Sequence, residues 1–444
     1  MRKQITAAAL TLALCGSLLA APAQAAAFTP DNPSAGASSA AAAANAAGST
    51  SEQVTAEKDL FPADAEGAVS FENLEKRVRE NNAALLMLQE TIETINAIDY
   101  EKLYDELREG MRAIAKAQWG ILQAGNADSM LGMSGFTDSI TSSYISSNLD
   151  TQYASLRETF EALKDGSLQE DNEAAVWQLE HTQNQVVMGA ETLYIALLEL
   201  QNTRSGLQRQ LEALDRTVAE MELRYQYGQI SALTLQQVKD GRTQLASGIA
   251  TLDMNLTNLT CQLETMLGLS PTGTLVLQEL PQVSDDQIAE MNYDAALAAA
   301  KEKSYELYNA QRTLDDAEET FRKDKKASGG LQSYAYKMAL HTYNAAKYTH
   351  QSTVQNFELS FRTTYTAVAD YQQVLAATES ALDYQRASYA ASELKYQQGS
   401  LSKNALLTAQ DDLAAAENNV LTAKHNLFTA YHNYLWAVEH GILN

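Results

Sequence analysis

The chain has 444 residues and a formal net charge of −24 at pH 7. An acidic excess of this size argues against nucleic acids and anionic membrane surfaces as partners, because both repel a polyanion. The six prolines leave residues 63–270 and 282–444 without one, which argues against a globular α/β fold and favours very long helices.

The N-terminal 25 residues have the pattern of a secretory signal peptide. A basic start at Arg2 and Lys3 precedes an apolar run over Ile5–Ala20 and an A-x-A cleavage site. The run is short for a membrane span, so an uncleaved anchor is the less favoured alternative. Residues 26–67 are rich in Ala, Ser, Gly and Pro and cannot bury a core, so a disordered tether is expected there. These features predict an exported protein.

Helical signals begin at Ser70, which is placed to cap a helix with an acid in its first turn. The apolar stripe that follows predicts helix to about Leu122. Residues 123–150 are richer in Gly, Ser, Asn and Met and lack period-2 alternation, so a loop with a short helix is predicted rather than a pair of strands. Helix returns near Thr151 and, after a weak stretch at Lys164–Asn172, continues to the first of two similar turns.

That turn occurs twice in the chain. It reads ELRYQYGQIS over Glu222–Ser231, the first tip, and ELKYQQGSLS over Glu393–Ser402, the second tip. Glycine adopts the left-handed conformation that ends a helix at little cost, and the serine three residues later can cap the next helix. Each copy therefore predicts a tight connection between two antiparallel helices. A chain reversal with no further role is the alternative.

The helices beside the tips carry apolar residues at heptad spacing. Before the first tip the positions follow alternate steps of four and three: Leu193, Leu197, Leu200, Arg204, Leu207, Leu211, Leu214, Val218, Met221 and Tyr225. The same spacing continues over Leu235–Met266 and, with many alanines, over Leu406–Ala437. A repeat near 3.5 residues predicts coiled-coil packing. Arg204 and Arg242 fall on this seam. We expect them to fix the register of the paired helices, and the alternative is that their charges line the interior of a helical assembly.

Two prolines and an acid pair mark a linker over residues 271–291. It divides the helical part into a first repeat, residues 68–270, and a second repeat, residues 292–444, which is interrupted by a short break at Lys325–Gly330. A single hairpin buries too little apolar surface to offset the entropy of ordering it. Further packing partners, including other copies of the chain, are therefore expected.

No pattern in the sequence indicates catalysis, a metal or a bound cofactor. His425 and His432 share a helix face, but their spacing is not that of metal ligands, and a polar face is the favoured interpretation. Nucleophile motifs, phosphate-binding loops and a Cys–His pair are missing from the sequence. Cys261 stands alone on a predicted helix and is expected to be a packing residue. The sequence therefore predicts a protein that is not an enzyme.

At the level of whole motifs the chain resembles the TolC-type outer membrane efflux family. The duplicated tip is similar to that family's [RK]-Y-x-x-G-x-[IL]-S turn. The segments SFENLEKRVRENN and NYDAALAAAKEKSYEL resemble the helix that opens each of its halves. LTNLTCQLETMLGL and NLFTAYHNYLWAVEHGIL resemble its closing helices, so the resemblance covers most of the mature chain in two copies.

The resemblance implies an all-α fold of long antiparallel helical hairpins in two tandem repeats, which three chains close into a TolC-like helical barrel. Little or no β-barrel is expected, because Lys325–Gly330 is too short for a membrane-spanning strand and residues 123–150 do not alternate. Membrane insertion is accordingly not favoured.

The resemblance also implies a homotrimer that serves as the passive outer conduit of a tripartite efflux or type I secretion complex. Its partners are expected to be a periplasmic adaptor (membrane fusion) protein and an inner-membrane pump, and its location the outer membrane or periplasm. The alternative is a structural coiled-coil scaffold of the cell envelope without transport activity.

Carried over by position, the adaptor-facing residues lie at the two tips, with a tyrosine just behind each: Gly228, Gln229, Ile230, Ser231 and Tyr225, and Gly399, Ser400, Leu401, Ser402 and Tyr396. The family often has acids just past the tip that line a closing aperture. Here those positions hold Thr234, Gln237, Ala405 and Thr408, so cation gating by an acidic ring is not expected.

Overall fold

The computed structural model of the protein describes residues 64–130, 136–327 and 330–443. The predicted signal peptide and the predicted tether up to residue 63 lie outside the described residues. The same holds for residues 131–135 of the predicted loop and residues 328–329 of the second break.

Helices make up nearly all of the described chain. Those of the first repeat are α1 Phe71–Asn81, α2 Ala83–Asn96, α3 Tyr100–Met130, α4 Phe136–Asp165, α5 Ser167–Gln226 and α6 Ala232–Met266. Those of the linker and the second repeat are α7 Asp285–Ala289, α8 Tyr293–Lys303, α9 Tyr305–Ala327, α10 Tyr334–Gln397 and α11 Lys403–His440. Two short strands, β1 Ala68–Val69 and β2 Val276–Leu277, pair in parallel. Across the described ranges, no helix has both the length and the apolar content that crossing a bilayer requires.

The long helices form two antiparallel hairpins. In the first hairpin α5 packs against α6, and in the second α10 packs against α11. Because α5 also packs against α11, the hairpins lie side by side in the order α6, α5, α11, α10. The predicted all-α fold of long antiparallel hairpins in two tandem repeats is confirmed.

The single helix predicted at the start of the first repeat is in fact three helices, α1 to α3. It breaks at Asn82, whose backbone is extended (φ −76°, ψ 114°), and again at residues 97–99. The Asn82 side-chain oxygen accepts hydrogen bonds from the backbone N–H groups of Ala84 (2.9 Å) and Leu85 (3.2 Å). Its amide donates to the carbonyl oxygen of Met266 (3.0 Å). The prediction was wrong because a capping side chain, fixed by a distant helix, interrupts an otherwise helical sequence.

The first helix begins where the sequence predicts but is capped differently. Ser70 occupies the N-cap of α1, yet its side chain makes no capping hydrogen bond. Instead, the Asp64 carboxylate accepts the backbone N–H of Ser70 (3.1 Å) and pairs with Arg77 (3.0 Å). Asp64 belongs to the predicted tether, so the last residues of that segment are attached to α1.

The segment predicted as a loop, residues 123–150, is largely helical in its described part. Helix α3 continues to Met130 and α4 begins at Phe136, and the two helices pack against each other. The loop prediction was wrong because Gly, Ser and Asn each lower helix stability by only about 1 kcal/mol or less, which packing against a neighbouring helix outweighs. The weak stretch at Lys164–Asn172 is confirmed as a break, at Gly166 with φ 90°.

The apolar core lies far from the tips, near the β1–β2 pair. One cluster joins α1, α5, α6 and α11 through buried residues that include Leu74, Val78, Val187, Tyr194, Leu197, Leu263 and Trp436. A second cluster joins α8, α10 and α11 through buried residues that include Ala300, Phe361, Val368, Tyr434 and Ala437. The Tyr194 hydroxyl lies 3.0 Å from the carbonyl oxygen of Val69 and 2.7 Å from that of Gln278, which ties the strand pair to α5.

Both repeats open with the same local structure. Helices α1 and α8 have 11 residues each and end at an extended residue, Asn82 or Ser304, with nearly equal dihedral angles (φ −76° in both, ψ 114° and 112°). The end of the helix that closes each repeat packs against the break, at Gly268 and Gly441 respectively. The tandem repeat is therefore visible in the fold as well as in the tips.

Candidate functional site at the hairpin tips

The first tip has the backbone geometry that its sequence predicts. Gly228 is left-handed (φ 69°), and its N–H donates to the carbonyl oxygen of Tyr225 (2.9 Å). The N–H of Gln229 donates to the carbonyl oxygen of Arg224 (2.8 Å), so two carbonyls in the last turn of α5 are satisfied. The Ser231 side chain then caps α6 by accepting a backbone N–H three residues on (3.1 Å).

The second tip repeats this geometry. Gly399 is left-handed (φ 73°), and its N–H donates to the carbonyl oxygen of Tyr396 (2.9 Å). The N–H and hydroxyl of Ser400 both donate to the carbonyl oxygen of Lys395, each at 2.9 Å. Ser402 caps α11 as Ser231 caps α6 (3.2 Å).

The two tips lie at the same end of the hairpin pair. Near the tips, the Asn404 amide donates to the Glu220 carboxylate (3.3 Å). Two turns further from the tips, Arg216 forms an ion pair with Asp411. Both contacts run between α5 and α11, so one partner can meet both tips at once.

The residues expected to face an adaptor are accessible at both tips. Tyr225 is 46% exposed and Tyr396 is 40% exposed. The polar positions of the two turns are exposed as well, and the aliphatic positions are half-buried: Gln229, Ser231, Ser400 and Ser402 belong to the first group, Ile230 and Leu401 to the second. The structure thus brings the ten predicted residues to one end of the molecule, on two separate turns.

Thr234 and Thr408, two of the four positions just past the tips, make hydrogen bonds within their own turn or helix. The Thr234 hydroxyl lies 2.9 Å from that of Ser231, within the cap of α6. The Thr408 hydroxyl donates to the carbonyl oxygen of Asn404 in its own helix (3.0 Å). Neither threonine carries a charge.

The two seam arginines form ion pairs within the first hairpin. Arg204 of α5 pairs with Asp253 of α6, and Arg242 of α6 pairs with Asp215 of α5 (2.6 Å). The four side chains remain 43–46% exposed, so these pairs contribute little stability but disfavour any shift of one helix along the other. This arrangement agrees with the register-setting role.

A buried polar cluster that sequence reasoning missed joins the two repeats. The Glu191 carboxylate on α5 lies 2.8 Å from the Nε2 atom of His432 on α11, and it accepts the indole N–H of Trp436 (2.7 Å). Glu191 is only 4% exposed, and the His432 ring packs against Phe71 and Phe428. The sequence feature that could have revealed this cluster is the single carboxylate of Glu191 among apolar residues on one face of α5.

His425, the other histidine on this face of α11, has a different environment. It is 5% exposed, and burial lowers the pKa of its imidazole, while the negative charge of Glu279 raises it. In the described ranges, no three His, Cys, Asp or Glu side chains converge in a way that would hold a metal ion.

A second buried carboxylate accepts hydrogen bonds from the backbone of the linker. Glu264, at the end of α6, is 2% exposed and accepts the backbone N–H groups of Thr272 (2.5 Å), Gly273 (2.7 Å), Thr274 (3.0 Å) and Leu275 (3.1 Å). Burial by itself raises the pKa of Glu264, but the hydrogen bonds from Gly273, Thr272 and Thr274 outweigh it, so the pKa lies below its ordinary value of 4.5.

No protein-family model matches this chain, and no curated protein matches its sequence. Among solved structures, the CmeC outer membrane channel of Campylobacter jejuni is similar with 13% identity and a TM-score of 0.49, over 65% of this chain and 68% of the channel. The open MtrE outer membrane channel of Neisseria gonorrhoeae is similar with 13% identity and a TM-score of 0.48, over 84% and 89%. A membrane protein from Pseudomonas aeruginosa is similar with 13% identity and a TM-score of 0.48, over 85% and 91%.

Proposed function

We propose that the chain is the outer, conduit-forming component of an efflux or type I secretion complex of the cell envelope. Three copies form a helical tube, and the tips of each copy dock a periplasmic adaptor, which connects the tube to an inner-membrane pump. Passage through the tube is passive, and the chain performs no catalysis.

The main support is the presence of two equivalent tips at one end of the molecule. Gly228 and Gly399 have the same conformation, each tip is capped by a serine, and a tyrosine stands exposed behind each. A simple chain reversal requires neither an exposed tyrosine behind each turn nor the same orientation of both hairpins, whereas a docking surface made of both tips does.

Self-association is supported by the outer faces of the hairpin pair. Helix α10 carries Tyr348 (69% exposed), Leu359 (66%) and Tyr384 (71%). Their separations correspond to about three and seven whole turns at ~3.6 residues per turn, so the three side chains share one face. On the opposite outer helix, α6, Met254 is 63% exposed. Large side chains left exposed on both outer helices support packing against other copies of the chain.

Proline at the two tip glycines tests the docking role. Proline holds φ near −65°, so it cannot adopt the left-handed conformation of Gly228 or Gly399. The double variant Gly228→Pro and Gly399→Pro is expected to retain its helical circular dichroism but to leave a deletion strain defective in ethidium export and in protein secretion. Gly241→Ala, where an added Cβ meets nothing within 4 Å, is the matched control and is expected to restore both. Full export by the proline variant would contradict the proposal.

A further inference from the structure

The two tips share a backbone but present different surfaces. On and beside the first tip, Tyr227 is 73% exposed and Leu233 is 70% exposed. The positions that correspond to them at the second tip hold Gln398 and Asn404. The first tip therefore offers two large apolar side chains that the second tip lacks.

The two tips also differ in their basic residues, which within the described ranges are paired with acids at the first tip but not at the second. At the first tip, Arg224 pairs with Glu220, and Lys239 pairs with Glu222 (2.6 Å). Both basic residues there are neutralised by side chains of the same hairpin.

At the second tip only one of the two acids has an equivalent, which is Glu393 in the position of Glu222. Ala391 stands where Glu220 stands in the first hairpin, so Lys395 has no acid one turn before it. Lys403 has no basic counterpart at the first tip, where Ala232 occupies the position. In the part of the chain that the structure describes, neither Lys395 nor Lys403 forms an ion pair, and both are exposed.

Lys403 is also placed against the helix electrostatics. It is the first residue of α11, where the helix dipole is positive and favours an acid. Among the described residues no carboxylate forms an ion pair with Lys403, although Glu220 contacts the neighbouring Asn404. An acidic group on a binding partner would supply the missing ion pair.

From these differences, and resting on the proposed function, we infer that the tips divide the recognition of one partner protein. The first tip inserts Tyr227 and Leu233 into an apolar pocket, and the second tip places Lys395 and Lys403 against an acidic patch beside that pocket. The contact between Glu220 and Asn404 holds the two tips close enough for a single partner surface. An aromatic anchor beside a charged contact is the usual composition of an interface hot spot.

A protein partner fits these observations better than a membrane surface does. Two lysines on a chain of net charge −24 give weak attraction to anionic lipid, because the rest of the surface repels it. A protein surface can also place an apolar pocket beside an acidic patch, which the pairing of Tyr227 and Leu233 with the two lysines requires.

Photo-cross-linking of the full chain tests this division. A benzoylphenylalanine replaces Gln229 or Ser400, and envelopes isolated from cells that make the chain are irradiated at low and at high salt. Adducts are identified by mass spectrometry. We expect the same exported protein at both positions. Tyr227→Gln with Leu233→Asn should lower the adduct about tenfold at either salt concentration, as removal of a hot spot does.

The lysine variant separates the second half of the inference from the first. Lys395→Gln with Lys403→Gln should lower the adduct at low salt and remove its dependence on salt, because the salt-sensitive contact is gone. Trp119→Gln, an exposed aromatic residue of α3, which belongs to neither hairpin, is the matched control and should change nothing.

Three results would overturn the inference. Adducts that fall equally in both tip variants and show no salt dependence refute the division of roles while the docking function stands. A lack of adducts at both positions refutes the docking function as well. Sedimentation of the purified chain with phosphatidylglycerol vesicles, if the same variants abolish it, shows that the tips bind lipid instead of a protein.

Discussion

Gly268 and Asn81 approach so closely that a Cβ built on Gly268 would lie 2.5 Å from the carbonyl oxygen of Asn81. The end of α6 therefore fits against the break between α1 and α2 only with glycine at this position, which is also left-handed (φ 69°). In the second repeat Gly441 (φ 64°) takes the same place against Ser304. Each repeat thus closes by packing the end of its last helix on the break near its start.

Substitution of this glycine tests the closure. Gly268→Ala should lower the free energy of unfolding by roughly 2 kcal/mol or more, because a left-handed alanine is strained and its Cβ meets the Asn81 backbone. Gly248→Ala, at an exposed position within α6, meets nothing within 4 Å and should raise the free energy of unfolding by about 0.5–1 kcal/mol. Urea unfolding followed by circular dichroism gives both values. Equal effects of the two substitutions would contradict the close packing.

Glu264 gives the fold a defined dependence on pH. Its pKa is lowered in the folded protein, so the stability it contributes is fully present above the ordinary value of 4.5 and is lost as the pH falls through the folded pKa. Glu264→Gln should cost about 2 kcal/mol near neutral pH, since hydrogen bonds to a charged group are lost. The difference between variant and parent should shrink below pH 4.5, as urea titrations at a series of pH values would show. A difference that stays constant with pH would contradict this role of the carboxylate.

The paired arginines of the first hairpin are open to a double-mutant cycle. Arg204→Glu alone should destabilise the chain, and Asp253→Arg in the same protein should restore most of the loss. The coupling energy is expected to be about 0.5 kcal/mol, typical of exposed pairs, and to decrease at high salt. The Arg242 and Asp215 pair should behave alike. Strictly additive effects would favour the alternative that these arginines act on the lumen.

Removal of Glu191 tests the buried polar cluster that joins the two repeats. Glu191→Ala removes the acceptor shared by the Trp436 N–H and His432 and leaves only the contact of that N–H with His432 Nε2 (2.9 Å), so a loss of about 2 kcal/mol is expected. Glu191→Gln should lose less, because the amide oxygen still accepts one hydrogen bond. Glu212→Ala, at an exposed position of the same helix, is the control and should have little effect. Matching unfolding curves for Glu191→Ala and the control would contradict a stabilising role of this polar cluster.

The features that sequence analysis predicted are governed by local chemistry. A left-handed glycine followed by a capping serine depends on a few neighbouring residues, so both tips were predicted with their conformation. The heptad seam depends only on spacing, so the two hairpins followed from it. The break near Gly166 was visible because glycine weakens a helix wherever it stands.

The features that escaped prediction depend on residues distant in sequence. The break at Asn82 is held by the carbonyl oxygen of Met266, and Glu191 meets its partners in the other repeat. Neither contact leaves a local pattern. The helical course of residues 123–130 and 136–150 was missed for the same reason, since α3 and α4 stabilise each other despite weak individual propensities.

The central claim is that the hairpins are completed by other copies of the chain. The most direct measurement is the mass of the chain without residues 1–25, obtained by light scattering after size-exclusion chromatography in detergent-free buffer. The proposed tube predicts three times the mass of one chain. A monomer that keeps its helical circular dichroism at the same concentration would contradict it.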